Sequence, residues 1–121
     1  MTPQEIFDKA YLGLKAQGKQ CTAAHGGCVY NGPNDTHCGI GMLVEPSVCA
    51  EWEGHDVEAV IRFAKEGDDL PGWFEANVKL LDAIQCAHDC VTDWRHDEFG
   101  FEAQFKDIAR RFDLEIPQVT L

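Results

Sequence analysis

Apolar residues recur at helical spacing over most of the chain. The first stripe consists of Ile6, Ala10 and Leu14. Thr2 can cap a helix here, Pro3 suits its first position, and Glu5 completes a capping box. Gly18 is the expected stop, so residues 1–20 are predicted to form a helical segment.

Three further helical stripes follow in the second half. They are Val57, Val60, Ile61 and Ala64; Phe74, Val78, Leu81 and Ile84; and Phe101, Phe105, Ile108 and Phe112. They predict one helix that stops near Gly67, a long one over residues 73–91, and a last one capped by Asp97. Residues 46–52 are typical of a short helix or turn. Residues 45–113 are therefore expected to be helical and residues 114–121 to be an extended tail.

Residues 21–44 have a different pattern, with turn-forming residues between two apolar runs. Cys28–Tyr30 and Cys38–Val44 flank the turn-rich segment Asn31–Asp35. This order predicts a β-hairpin whose apolar face lies on the helices. The fold class expected is α+β and mostly helical, with an N-terminal helix and one hairpin packed on three or four C-terminal helices. Residues 1–121 are expected to form a single domain.

The charge of the chain is strongly negative and unevenly distributed. Its net charge is −11. Residues 1–44 carry three basic and three acidic residues, whereas residues 45–121 carry seven basic and 18 acidic ones. Direct nucleic-acid binding is disfavoured, because an acidic surface repels phosphates. The acidic half is either a solvated surface or an interaction surface for a basic partner.

Six acidic residues around the predicted long helix are the first candidates for such an interaction surface. They are Asp68, Asp69, Asp93, Asp97, Glu98 and Glu102. No apolar run is long enough to span a bilayer, and the first residues do not resemble a signal peptide. A cytoplasmic protein with reduced cysteines is therefore expected, with no membrane partner.

Polar residues extend the apolar stripe of the predicted long helix. Gln85 and His88 continue the stripe, and Asp89 lies at its boundary. One interpretation is structural, with these side chains tying the helix to the hairpin by hydrogen bonds. The other is functional, with Gln85, His88, Asp89 and Tyr30 lining a pocket.

Two stretches of the chain resemble known sequences. Cys28-Val29-Tyr30-Asn31-Gly32-Pro33-Asn34 with His37–Leu43 resembles a hairpin signature in small uncharacterised proteins of bacteriophages and prophages. Gln85-Cys86-Ala87-His88-Asp89, followed by Trp94, resembles the second signature of those proteins. A basic residue is expected after the tyrosine, and this chain has Asn31 there. The resemblance implies a phage-type accessory protein and supplies no reaction.

Two kinds of chemistry stay open beside this interpretation. Cys21, His25, Cys28 and Cys38 have residue types and spacings that could hold a structural zinc ion, although no Cys-x-x-Cys pair occurs. A thiol-dependent enzyme could use Cys38 as nucleophile with His88 and Asp89. Against this, neighbouring helical side chains are expected to diverge, and no helix N-terminus is evident at Cys38.

The function that this sequence favours is therefore binding rather than catalysis. We expect a small acidic phage-type accessory protein that binds and modulates a macromolecular target, with a host protein as the favoured target. A nucleic-acid-handling or defence complex inhibited through the acidic surface is one such target. The alternatives are a small-molecule binder or thiol enzyme with a pocket at Cys38, Gln85 and His88, and a zinc-stabilised module.

Overall fold

The computed structural model describes residues 1–18, 21, 30–32, 36–44, 52–53, 57–64, 72–90 and 100–117. The elements, in chain order, are α1 (Pro3–Gln17), β1 (Asn31–Gly32), β2 (Thr36–His37), α2 (Val57–Ala64), α3 (Gly72–Ala76), α4 (Val78–Cys90) and α5 (Phe101–Arg111). The fold class predicted from the sequence is confirmed: the protein is mostly helical, with an N-terminal helix and an antiparallel hairpin packed against the C-terminal helices.

The ends of α1 agree with the predicted signals. Thr2 Oγ1 accepts the backbone N–H of Glu5 at 3.2 Å, and Glu5 Oε1 accepts the N–H of Thr2 at 2.9 Å, which completes the capping box. Gly18 has a φ of 74°, in the left-handed region that favours glycine, and its N–H donates to Leu14 O. Cap and stop therefore fix both ends of the helix.

The predicted hairpin is present, but its strands lie at Asn31–Gly32, inside the predicted turn, and at Thr36–His37, before the second predicted strand. Cys28 and Val29 of the first predicted strand lie outside the described residues. Asn31 pairs with His37 and Gly32 with Thr36. The second strand expected over Cys38–Val44 is wrong, because this segment forms helical turns: the N–H of Met42 donates to Cys38 O, and the N–H of Val44 donates to Ile40 O. The residues predicted to alternate along that strand therefore follow a helical path.

Close packing explains the glycines of this turn segment. A Cβ atom on Gly39 would overlap Cγ2 of Ile84 on α4, and one on Gly41 would overlap the backbone oxygen of Tyr30. Glycine permits both approaches because it lacks that atom. Met42 in turn lies against Gly13 of α1. The turn segment is thus held between α1, α4 and the start of the hairpin.

The predicted long helix is broken at Asn77. The N–H of Asn77 donates to Phe74 O at 3.1 Å, and its side-chain Nδ2 donates to Trp73 O at 2.8 Å. The asparagine thereby caps α3, which is the local competition with helix hydrogen bonding that this residue type favours. The N–H of Leu81 then donates to Asn77 O, and α4 begins.

The last helix differs from prediction at its start. Its N-cap is Gly100, which makes no side-chain cap hydrogen bond, and the predicted cap Asp97 lies outside the described residues. At the other end Asp113 has a φ of 55°, and the N–H of Leu114 donates to Ala109 O at 2.8 Å. This reversal ends α5 and turns the chain toward α1.

The core is built around α4, which packs against α5, α2, α1 and α3. Its largest fully buried side chains include Phe7, Phe74, Phe105, Leu14, Leu81 and Ile84. Between α1 and α5, Phe7, Tyr11, Phe101 and Phe105 form an aromatic cluster with ring centroids 4.6–6.0 Å apart. The tail is fixed by Gln4, whose side-chain amide donates to Glu115 O and accepts the N–H of Glu115.

Candidate polar site at the hairpin and helix α4

Among the described side chains of α4, His88 is the polar one that is fully buried. None of its surface is exposed to solvent. Its position two helical turns after Leu81 puts it on the core face of the helix. A buried imidazole requires hydrogen-bond partners, because its ring nitrogens would otherwise lose the bonds they make to water.

Both ring nitrogens of His88 have such partners. The backbone N–H of Cys21 donates to Nε2 at 2.9 Å, and Nδ1 lies 2.7 Å from Oδ1 of Asp89. A peptide N–H can only donate, so Nε2 is the acceptor and the ring proton sits on Nδ1, pointing at the carboxylate. The surroundings thus select one tautomer of His88.

The contact between His88 and Asp89 corrects the sequence prediction that their side chains diverge. Nδ1 is the ring nitrogen nearer the backbone, so the short carboxylate of the next residue can reach it. Asp89 is 37% exposed and joins the buried imidazole to the protein surface. Nε2 of Gln85 lies 3.3 Å and 3.4 Å from the two carboxylate oxygens of Asp89, one helical turn away.

Gln85 is the incompletely satisfied member of the group. Its Oε1 atom is buried and finds no hydrogen-bond partner among the described residues. Exchanging the amide nitrogen and oxygen would not help, since Oε1 would then face the carboxylate of Asp89. The side chain therefore keeps its donor toward Asp89 and leaves its acceptor unused within this part of the chain.

Cys21 has a structural role that the sequence did not indicate. Its backbone bonds to His88, and its buried thiol donates to the backbone oxygen of Thr36 on β2 at 3.3 Å. One residue thereby joins α4 to the hairpin. Burial raises the pKa of the Cys21 thiol, which keeps it protonated and able to donate.

Cys38 is buried and forms part of the turn segment. It begins the helical turns of residues 38–44, and its sulfur lies 3.3 Å from the backbone nitrogen of Gly41, whose N–H it accepts. The turns that begin at Cys38 thus direct a backbone N–H at the sulfur, and no helix is formed at this position. Burial nevertheless raises the pKa of this thiol well above its ordinary value, although the N–H groups of Gly41 and Ile40 act in the opposite direction. Burial therefore disfavours the thiolate form that a nucleophile needs.

Tyr30 contributes to the site through its backbone. Its backbone N–H donates to Glu53 Oε1 at 2.6 Å, and its backbone carbonyl oxygen accepts the N–H of Cys38 at 3.1 Å. Its ring is buried against Trp52, with centroids 6.2 Å apart in an edge-on arrangement. Tyr30 is thus a packing residue that joins the hairpin to Trp52.

Two of the four proposed zinc ligands lie within the described residues. Cys21 and Cys38 are both free and buried, whereas His25 and Cys28 lie outside the described residues. Within the described ranges, no group of three or more histidine, cysteine, aspartate or glutamate residues could hold a metal ion. The Nε2 atom of His88 is already occupied by the N–H of Cys21.

Of the six acidic candidates for an interaction surface, only Glu102 falls within the described residues. Its carboxylate accepts a hydrogen bond from the Tyr11 hydroxyl at 2.8 Å and pairs with Lys15 at 2.8 Å. Lys15 also donates to the Tyr11 hydroxyl. Glu102 therefore joins α5 to α1, and Lys15 offsets its charge. Asp68, Asp69, Asp93, Asp97 and Glu98 lie outside the described residues.

Gln17 is a further residue that sequence reasoning missed. Its Nε2 donates to the backbone oxygen of His37 at 2.9 Å, and its Oε1 accepts the N–H of His37 at 2.7 Å. Both peptide groups point away from β1, so Gln17 occupies the outer edge of β2. The side chain of His37 contacts Asn31 across the hairpin, at 2.8 Å.

Comparison with models of known protein families, with characterised proteins and with solved structures finds no match to this chain. None of the described helices is both long and apolar enough to cross a membrane. The interpretation of the site therefore depends on its own geometry.

Proposed function

We propose that this protein is a small acidic accessory protein that binds and modulates a basic macromolecular partner through its surface. The observation that supports the proposal is that the histidine and cysteine of the candidate site are buried and engaged within the fold. His88 is fully buried with both ring nitrogens engaged, and the Cys38 thiol is buried with a raised pKa. Groups held in this way maintain the fold, and binding is left to the surface.

The net charge of −11 supports a basic partner. Among the described acidic residues, Glu102 is paired with Lys15, and Asp107 is paired with Arg110 and Arg111. By contrast, Asp82 on α4 forms no ion pair with another described residue. Ten of the 21 acidic residues lie in segments outside the described ranges, against three of the ten basic residues. The acidic excess of the sequence is thus concentrated outside the described ranges, as expected if those residues meet a basic partner.

The resemblance to small phage and prophage proteins supports a host protein as the partner. A host protein that handles nucleic acid presents a basic surface, which carboxylates could occupy in place of phosphates. Inhibition of such a protein, or of a host defence complex, is the modulation that we propose.

A salt-dependent pull-down tests this function. The tagged full chain is incubated with host lysate, and the retained proteins are identified by mass spectrometry at roughly 50 and 300 mM salt, over which the Debye length falls from about 14 to 6 Å. We expect a basic protein that is retained at low salt and released at high salt. The same partner, purified, should then associate more slowly with the Asp97→Lys/Glu98→Lys variant.

The Glu58→Lys/Glu115→Lys variant is the matched control, because it makes the same change in charge at two exposed described positions. We expect it to bind the partner nearly as well as the unchanged protein. Equal losses of affinity in both variants, or binding that does not depend on salt, would show that the acidic residues serve solvation and do not bind the partner. The proposed function would then be refuted.

A further inference from the structure

A groove opens where the α3–α4 helix is interrupted. Its volume is about 370 Å³, and it lies between the start of α1, the α3–α4 junction and the end of α5. Small-molecule sites in proteins typically have volumes of about 300–1,000 Å³. The groove is lined by Asn77, the residue between the end of α3 and the start of α4. We call it the junction groove.

The junction groove is mainly apolar. Pro3, Ala76, Leu80 and Phe112 form its apolar walls. Leu80 is almost fully buried, and Phe112 is half-buried against the core. Nδ2 of Asn77 is already used in capping α3. The walls therefore suit a hydrocarbon or aromatic body of modest size.

Lys79 supplies the charge of the groove. It is the one charged residue among the described residues that line it, and it forms no ion pair with any of them. An ammonium group beside an apolar wall favours a ligand with a carboxylate next to an apolar body. Glu75 lies four residues before Lys79 and Asp82 three residues after it, both on exposed positions. This flanking negative charge disfavours polyanions such as nucleotides.

We propose that the junction groove binds a small monocarboxylic acid with an apolar body, such as a medium-chain fatty acid. Its carboxylate pairs with Lys79, and its hydrocarbon chain covers Phe112 and the exposed wall residues Pro3 and Ala76. The proposal is independent of the acidic surface and of the macromolecular partner.

The test is an NMR titration of the full chain with two probes that share one hydrocarbon tail, octanoate and octanol. We expect octanoate to shift the backbone amide resonances of Val78, Lys79 and Leu80 in a saturable manner at millimolar concentration. Octanol should bind about two- to fivefold more weakly, the range that one exposed ion pair accounts for. The Lys79→Met variant should remove this difference, because it keeps the length of the side chain and deletes its charge.

Two further variants make the test specific. Lys9→Met removes an exposed lysine of α1 that does not line the groove, and it should keep the preference for octanoate. Ala76→Phe adds a ring at an exposed position of the wall and should abolish binding of both probes while the rest of the spectrum is preserved. Absence of saturable shifts with octanoate up to about 10 mM would overturn the proposal. Equal affinity for octanoate and octanol, or a preference unchanged by Lys79→Met, would overturn it as well.

Discussion

The backbone N–H of Cys21 donates to Nε2 of His88 at 2.9 Å, across 67 positions of sequence. This single hydrogen bond joins the segment that follows α1 to the buried face of α4. Because the thiol of Cys21 also bonds to Thr36, the hairpin is connected through the same residue. The contribution of the Gln85–His88–Asp89 group to the stability of the fold can therefore be measured.

Replacing His88 by alanine should lower the free energy of unfolding by at least about 1–3 kcal/mol, since a buried N–H loses its acceptor and a cavity forms. His88→Gln should cost less, because its Oε1 can lie near the position of Nε2 and accept from Cys21. Urea denaturation followed by circular dichroism measures both. Asp82→Ala, at an exposed position of the same helix, is the control and should change the free energy by less than about 0.5 kcal/mol. An unchanged midpoint for His88→Ala would disprove the structural role.

Gly39 should not tolerate a side chain. A Cβ atom there would overlap Cγ2 of Ile84, so Gly39→Ala should destabilise the protein by about 1–3 kcal/mol. Ile84→Ala removes the overlapping methyl group, and the double variant should therefore be more stable than the sum of the two single effects. Gly72→Ala is the matched control, because a Cβ at Gly72 meets nothing within 4 Å. Equal effects of the two glycine substitutions would contradict the packing described for the turn segment.

The carboxylate of Glu102 should make stability depend on acid pH. Burial raises the pKa of Glu102, but the hydrogen bonds from Lys15 and Tyr11 together outweigh burial and bring the pKa below its ordinary value of 4.5. A depressed carboxyl pKa contributes stability above the unfolded value, and this contribution is lost as the pH falls through the folded value. The difference in urea midpoint between the unchanged protein and Glu102→Gln should thus be full at pH 7 and vanish as the pH falls below 4.5.

Glu58→Gln is the control for that experiment, because Glu58 is exposed and forms no ion pair with another described residue. Its midpoint should follow that of the unchanged protein at each pH. A constant difference for Glu102→Gln down to acid pH would show that the Tyr11–Lys15–Glu102 contacts do not depend on the charge of Glu102.

Helical periodicity in the sequence was sufficient to predict α1, α2 and the core side of α4. It did not predict the break in the long helix, where a side-chain amide takes the place of a backbone N–H as hydrogen-bond donor. Asn77 interrupts an apolar stripe that continues on both sides, and the stripe itself contains no signal for the break. The Cys38–Val44 segment alternates like a strand, but its glycines allow it to pack as a turn against Ile84. Such a choice is made by tertiary contacts, which outweigh local preference.

The sequence predicts that the site contains a buried, hydrogen-bonded histidine, but it does not identify the residues that bond to it. The periodicity of α4 indicates that His88 faces the core, and burial then requires hydrogen bonds. Nothing in the local sequence identifies Cys21 as the donor, because the two residues are 67 positions apart. A peptide N–H is also common to nearly every residue, so the donor has no sequence signature. The same holds for the pairing of Gln17 with the peptide groups of His37.

The six cysteines should all be reduced in the native protein, and their reactivity should follow their burial. Cys86 is exposed, whereas Cys21 and Cys38 are buried with thiol pKa values raised by burial. Brief labelling with iodoacetamide, followed by peptide mass spectrometry, should modify Cys86 well before Cys21 and Cys38. Thiol counting in denaturant without reductant should give six. Early labelling of Cys38, at a rate similar to that of Cys86, would contradict its burial and its raised pKa.

Gln17 gives the hairpin a property that its own short strands could not. An uncovered strand edge is a template on which another chain can add, and repeated addition leads to fibrils. A single amide side chain from α1 imitates the peptide group of a neighbouring strand at His37. That edge of β2 is therefore closed to strand addition at His37, so the protein can carry a minimal two-stranded sheet with less risk of polymerising through it.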